Sequence, residues 1–283
     1  MSTRINHNVL ALTAQRNIWK TQTDLDTSLI RLSSGLRINY SWDDPAGLAI
    51  SERFRALIDS MSEAERNANY NINLMATAEG ALQTIDEKLV RLRSLAIQAS
   101  NGALTSTDRR ALDQEFQLLL SEITRIATSV NYNNLNLLDG SLSGTTNDGR
   151  SGLKFHVGVN NVFGQDYYYV TLHDMRASAL GLTGVNVLNT LAAQSAIASI
   201  DFAMEVKDSE RTRIGAYVSR LQGTIQNLQI ARENAVSSES QIRDADIAAE
   251  MSNFVRAQIL MQTGVSMLAQ ANMVPQIVAQ LVG

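Results

Sequence analysis

The chain has 283 residues, of which 45% are hydrophobic, 18% charged and 5% aromatic, with 2 prolines, no cysteine and a formal net charge of −4. So much apolar material excludes global disorder, and the acidic balance offers no basic field to nucleic acid phosphates. Lack of thiols excludes thiolate catalysis and cysteine metal sites, and no run of about 20 uninterrupted apolar residues is present to span a bilayer.

Met1-Ser-Thr-Arg-Ile-Asn-His7 has no basic segment leading into an apolar run, so a cleavable secretory signal is not expected. Beyond it, apolar positions recur in steps of three and four, the spacing of helices packed side by side. Leu25, Leu29, Leu32 and Leu36 make the first seam. Gly35 reads as a helix C-cap, because glycine tolerates a left-handed backbone. Asp43-Asp44-Pro45 reads as the next start, with Asp44 capping free amides and Pro45 at the first helical position. A very long helix then runs to about Gln98, with Leu82, Ile85, Leu89, Leu92 and Ala96 as its seam and Gly80 as a weak point. Fifty helical residues extend about 75 Å, which predicts a rod.

Asn101-Gly102 breaks that helix, and Thr105 with Asp108 can form a capping box for another. Leu112, Phe116, Leu119, Ile123, Ile126 and Val130 continue the spacing. From Asn131 to Gly152 the chain is rich in Asn, Gly, Ser, Thr and Asp, which is turn and loop chemistry. Leu153, Phe155, Val157 and Val159 alternate at period two, and Tyr167 to Leu172 follows Asn160-Asn161 and Gly164, so a β-hairpin is expected. Helical periodicity returns by about Val187, with a seam at Ile214, Val218, Leu221, Ile225 and Leu228. The fold class is therefore mainly α. Paired N- and C-terminal segments form a long antiparallel helical rod, a coiled-coil bundle, with a small β-hairpin region in the middle.

The two ends differ from ordinary soluble helices. Arg256 is the only charged residue from Met251 to Gly283, and the outer positions carry Ser, Asn, Gln and Thr instead of Lys and Glu. Such polar side chains are costly in lipid, so membrane insertion is not expected. The seam here is Phe254, Ala257, Met261, Gly264, Leu268 and Ala271, alternating large with small. Up to Thr23 the N-terminal stretch has only Arg4, Arg16 and Lys20 as charged side chains. Both ends read as segments built for burial among copies, disordered alone and helical in a polymer.

Catalytic and metal signatures are missing. The sequence contains no GxxxxGK[ST] loop, no HExxH and no Gly-x-Ser-x-Gly elbow. His7, His156 and His173 are scattered; His156 and His173 could approach across the hairpin, but a metal needs more ligands. Asp244, Asp246 and Glu250 beside Arg243 read as a solvated helix start or a salt-bridged joint. Trp19 and Trp42 read as packing residues. No enzyme activity, cofactor or metal is expected.

Arg31-Leu-Ser-Ser-Gly-Leu-Arg-Ile-Asn39 and Asp43-Asp44-Pro45-Ala-Gly47, extended by Arg66-Asn-Ala-Asn69 and Thr77-Ala-Glu-Gly-Ala81, resemble the N-terminal signature of bacterial flagellins. Ile242-Arg-Asp-Ala-Asp246, Ala257-Gln-Ile-Leu260 and Leu268-Ala-Gln-Ala-Asn-Met-Val-Pro-Gln276 resemble their C-terminal signature. The resemblance covers about residues 1–140 and 190–283. It implies an inner terminal coiled-coil domain of 1–42 plus 240–283. The outer helical rod domain would be 43–239, with its β region at about 131–186. Helix returns so soon after the hairpin that no variable outer domain fits, so the form is minimal.

The function implied is that of a structural subunit polymerising into the flagellar filament, the propeller of swimming motility. The subunit would leave the cell unfolded through the flagellar export apparatus, with a chaperone masking Phe254, Met261, Leu268 and Val274 beforehand. Its further partners would be other copies of itself and the hook-associated junction and cap proteins, in an extracellular filament or a periplasmic one. An exposed patch that matches Arg91, Leu95 and Glu115 is recognised in the family by a Toll-like receptor. Ser94 departs from the family pattern, where many members have an acidic residue. A hook–filament junction protein is the alternative within structural proteins. A secreted module entering membranes by coiled-coil ends is a different class, against which the Gln- and Asn-rich faces argue.

Overall fold

The structure, a computed structural model, describes residues 7–143 and 152–282, with side chains described as far as residue 273. Its elements in chain order are α1 (Val9–Ser34), α2 (Pro45–Ala99), α3 (Ser106–Ser129), β1 (Asn131–Tyr132), β2 (Leu135–Asn136), β3 (Leu153–His156), β4 (Tyr167–Val170), α4 (Thr190–Arg243) and α5 (Ile247–Val282). The strands form two antiparallel two-stranded sheets, β1 with β2 and β3 with β4. By its contacts the chain divides into two compact units, Met1–Ile58 with Glu233–Gly283, and Asp59–Arg232.

Local chemistry sets the helix ends. Asn8 caps α1 by accepting from the Ala11 amide at 3.0 Å. Gly35 ends the helix at φ 72°, its amide returning to Arg31 O at 2.8 Å. That backbone is open to glycine and strained for other residues. Asp44 Oδ1 accepts from Gly47 N at 2.9 Å, and Pro45 opens α2. A Cβ on Gly47 would lie 2.4 Å from Asp44 Oδ2 and 2.9 Å from Ile38 Cδ1, so the cap and the buried Ile38 leave room only for hydrogen.

Within Asp59–Arg232 the core is a three-helix seam closed at one side by β structure. Leu82, Ile85, Leu89, Leu92 and Ala96 of α2 are fully buried, as the spacing predicts, together with Phe116 and Ile123 of α3. The α4 seam starts well before Ile214. Ala193, Ala196, Ile200 and Ala203 are buried in steps of three and four, and the next two seam positions are Lys207 and Glu210, each 2% exposed. Lys207 Nζ pairs with Asp208 at 2.7 Å and with Asp86. Burial pushes the ammonium pKa down, but the hydrogen bonds from Asp208 and Asp86 push it up further, so it stays charged. Glu210 accepts from Arg213 at 2.9 Å and contacts His173 Nδ1 at 2.7 Å. Two ion pairs thus interrupt the apolar periodicity of α4 inside the core, between Ala203 and Ile214.

The β region is smaller than its share of the chain. The β3–β4 hairpin pairs Leu153 with Val170 and His156 with Tyr167, turning Phe155, Tyr168 and Val170 inward. Asp166 closes the connection by accepting from Asn160 N at 3.0 Å and Val162 N at 2.9 Å. A second hairpin, β1–β2, stands where turn-rich composition suggests only loop. Asn133 and Asn134 take φ of 48° and 64°, the two left-handed residues of a tight turn. Val187 is buried but not helical; its amide donates to Asp113 Oδ1 at 2.9 Å, and α4 begins three residues later at Thr190.

At α3 the capping box is complete. Thr105 Oγ1 accepts from Asp108 N at 3.3 Å, and Asp108 Oδ2 accepts from Thr105 N at 2.9 Å. The Thr105 hydroxyl and amide hold the Asp108 carboxyl below its ordinary range. Thr105→Ala should cost about 1 kcal/mol in urea unfolding at neutral pH. A lowered folded-state pKa stabilises above the unfolded value and is lost as pH falls through the folded one. The gap between wild type and Thr105→Ala should therefore narrow below about pH 4; a gap independent of pH would remove Asp108 from the cap.

Candidate assembly surface on the terminal helix pair

α1 and α5 pack antiparallel, and three contacts fix the register. Asn8 Nδ2 donates to Ala271 O at 2.8 Å, near the start of α1. In the middle a Cβ on Gly264 would be 3.0 Å from Ile18 Cγ1, so the absent side chain lets the helices approach. Towards the end of α1, Ser28 Oγ donates to Glu250 Oε1 at 2.6 Å, with Arg31 Nη1 3.8 Å from the same carboxylate. The pair is tied off by backbone bonds just beyond its ends. Leu36 bridges Asp244, Arg37 N donates to Arg243 O at 2.7 Å, and Ala245 N donates to Gly35 O at 2.9 Å.

On α5, Ala257 is buried, and Phe254, Met261, Gly264, Leu268 and Ala271 are half-buried. Val274 lies outside the residues whose side chains are described. On α1 the register differs. Leu25 and Leu32 are half-buried in the seam, but the position between them is Ser28, not Leu29, which is 53% exposed. The reason is the Ser28–Glu250 hydrogen bond, which draws the polar side chain inward. Leu36 is half-buried but past the cap, on the bridge to Asp244 and not in a helical seam.

The outward faces of this pair expose large apolar side chains among polar ones. Leu10, Leu12 and Trp19 on α1, and Ile259, Leu260, Val265 and Met267 on α5, are each more than half exposed. Between the helices runs a groove of about 370 Å³ lined by Leu10, Ala14, Ile18, Leu260, Gly264 and Met267. The hydroxyls that share these faces turn back onto their own helix. Thr21 donates to Asn17 O at 3.0 Å, Thr23 to Trp19 O at 3.1 Å and Ser266 to Gln262 O at 3.1 Å. Such bonds satisfy the hydroxyl locally. Large exposed apolar side chains gathered on one surface mark interaction sites. Trp19 and Trp42, expected as packing residues, are 71% and 74% exposed; Trp42 stacks on Tyr40 at 4.5 Å.

The other candidate residues separate. Arg91 Nη2 lies 2.6 Å from Glu115 Oε1, and both side chains are half exposed. Leu95 is fully buried in the α2 seam, so it belongs to the core and not to an exposed patch with them. Three residues after Leu92, it falls on the inward stripe. Asp246 caps α5 by accepting from Ala248 N at 2.9 Å and Ala249 N at 3.1 Å, while Glu250 takes Ser28 and Arg31. His156 stacks on Tyr167 and His173 contacts Glu210. Among the described residues no three His, Cys, Asp or Glu side chains gather as a metal site, and no helix is long and apolar enough to cross a membrane.

Both ends of the chain match family models. The bacterial flagellin N-terminal helical region matches over residues 5–143, and the bacterial flagellin C-terminal helical region over residues 197–282. The chain is 41% identical over 279 residues to the flagellin of Halalkalibacterium halodurans, covering 98% of each chain. It is 40% identical over 279 residues to the flagellar filament core protein flaB2 of Brachyspira hyodysenteriae, covering 96% of this chain and 97% of that one. A solved structure of a putative flagellar hook-associated protein from Vibrio parahaemolyticus aligns with a TM-score of 0.58 over 71% of this chain and 100% of that one; at 16% identity the likeness is of fold alone.

The two residues read together as a surface patch can be told apart by unfolding. Leu95→Ala should lower stability by about 2–5 kcal/mol in urea melts. Arg91→Ala, which removes an exposed ion pair, should cost under about 1 kcal/mol. Equal small losses would return Leu95 to the surface.

Proposed function

The chain belongs to the bacterial flagellin family, and from that premise we propose that α1 and α5 are the surface through which its copies pack into the flagellar filament. It is a structural subunit of that filament, in a small form with helical ends and a short β region. The single observation that carries the packing reading is α5 itself. Beyond Glu250 its only charge is Arg256, its exposed positions hold large apolar side chains interleaved with uncharged polar ones, and α1 covers one face of it.

Magnitudes favour this reading. Fully burying one Leu, Ile, Val or Met side chain contributes about 1.5–3 kcal/mol. Association costs about 4–15 kcal/mol in lost freedom and ordering. A handful of the exposed side chains on the pair is enough to exceed that cost. Residues 1–42 with 240–283 then form the inner domain of the subunit and 43–239 the outer. The role is wholly structural.

The same surface explains the handling of the free subunit. Before export through the flagellar export apparatus, a chaperone covering the seam at Phe254, Met261, Leu268 and Val274 would prevent premature growth. Hook-associated junction and cap proteins would meet the pair at the filament's ends, in a filament outside the cell. A Toll-like receptor would find the Arg91–Glu115 ion pair without Leu95. The relatives matched over nearly their whole lengths are named flagellin and flagellar filament core protein, which favours a filament subunit over a junction protein.

Charge placed on the outer face tests the proposal. Ile259→Glu and Val265→Glu leave the α1·α5 seam intact. Each should slow growth from short filament seeds at least about a hundredfold, because an unpaired carboxylate would be buried. Unfolding of Asp59–Arg232 should stay at the wild-type midpoint. Wild-type elongation by both variants would remove α5 from the assembly surface.

A further inference from the structure

The methionines are divided between the two units in a way that packing alone does not require. Met75 and Met175 are fully buried, Met61 is 9% exposed and Met204 half-buried, all within Asp59–Arg232. On α5, Met251, Met267 and Met273 are 46%, 59% and 51% exposed, and they are the only exposed methionines among the described residues. α5 itself carries no charge beyond Glu250 and Arg256, and Met267 lines the groove between α1 and α5. Among the described residues, every thioether that a small oxidant can reach easily is therefore on the proposed assembly surface.

We infer that Met251, Met267 and Met273 form an oxidation-sensitive site at which peroxide-class oxidants block assembly of the free subunit. This rests on the packing reading above. The thioether sulfur attacks one peroxide oxygen; an S–O bond forms as the O–O bond breaks, and the departing hydroxide takes up a proton to leave as water. Sulfur loses two electrons and peroxide gains them. The product is a methionine sulfoxide, a polar, chiral group with a strong acceptor oxygen. That oxygen adds bulk and a strong acceptor where the exposed Ile259, Leu260 and Val265 share the surface, and it must shed its water when a second copy covers it, a cost that the thioether does not carry. A subunit already packed is shielded, because the same sulfurs are covered. Methionine sulfoxide reductases would restore the free subunit.

The test treats monomer and preformed filament with hydrogen peroxide. Peptide mass spectrometry then locates the added oxygen, and growth from untreated seeds is followed. In the monomer, Met251, Met267 and Met273 should oxidise before Met61, Met75 and Met175, and in the filament they should be protected. Oxidised monomer should elongate about tenfold more slowly or worse, and reductase treatment should restore it. The triple variant Met251→Leu, Met267→Leu, Met273→Leu, whatever its own rate of growth from seeds, should grow at that same rate with and without peroxide. Unimpaired growth of oxidised monomer, with untreated monomer growing normally, would overturn this inference alone. A triple variant as peroxide-sensitive as wild type would overturn it equally. Untreated monomer unable to grow from seeds would instead overturn the packing reading together with this inference.

Discussion

A helix that exposes large apolar side chains and almost no charge needs cover beyond a single partner, and α5 is such a helix. α1 covers one face of it through a seam of small and large residues, with Gly264 letting Ile18 approach and Ser28 anchoring Glu250. Among the described residues its other faces stay exposed. There Ile259, Leu260, Val265 and Met267 stand exposed among Gln and Asn side chains, while Thr263 and Ser266 bond back to their own backbone. Further copies of the chain satisfy this constraint at the lowest cost, because each brings an equally apolar surface. The near absence of charge also follows, since an unpaired charge is far more costly to bury than an amide or hydroxyl.

Asp59–Arg232 obeys the opposite rule. Its apolar stripes find partners inside the chain, and its outer faces carry ion pairs such as Arg91–Glu115 and Arg93–Asp201. Surface pairs of this kind contribute little to stability. Lys207 and Glu210 differ, because both occupy seam positions and are almost fully buried. Such pairs are weak evidence for stability but can fix register, since sliding α4 by one step would leave a charge uncompensated. One unit thus completes its own core, whereas the terminal pair leaves its core unfinished.

Much of this is legible in the sequence where a single residue type carries the physics. Gly35, Asp44 with Pro45, and Thr105 with Asp108 act through local backbone chemistry, and the structure ends and starts helices there. The α5 seam is equally plain because glycine and alanine alternate with bulky residues. Features that depend on a distant partner are not. Ser28 displaces Leu29 from the seam only because Glu250 waits across the interface. Lys207 and Glu210 look like surface residues until Asp86, His173 and Arg213 are placed beside them. Likeness to a motif puts Leu95 in a surface patch, although its spacing from Leu92 already places it on the inward stripe. The β1–β2 hairpin is hidden because its turn residues, Asn133 and Asn134, also suit an open loop.

Hydrogen–deuterium exchange on monomer and filament tests the central claim most directly. If the terminal pair is completed by other copies, amides of α1 and α5 exchange rapidly in the monomer and become strongly protected in the filament. Amides around Leu89 and Ile123 would change little, because their core is complete in one chain. Equal protection of α1 and α5 in both states would contradict the account, for it would mean that the pair is stable alone and that assembly uses another surface.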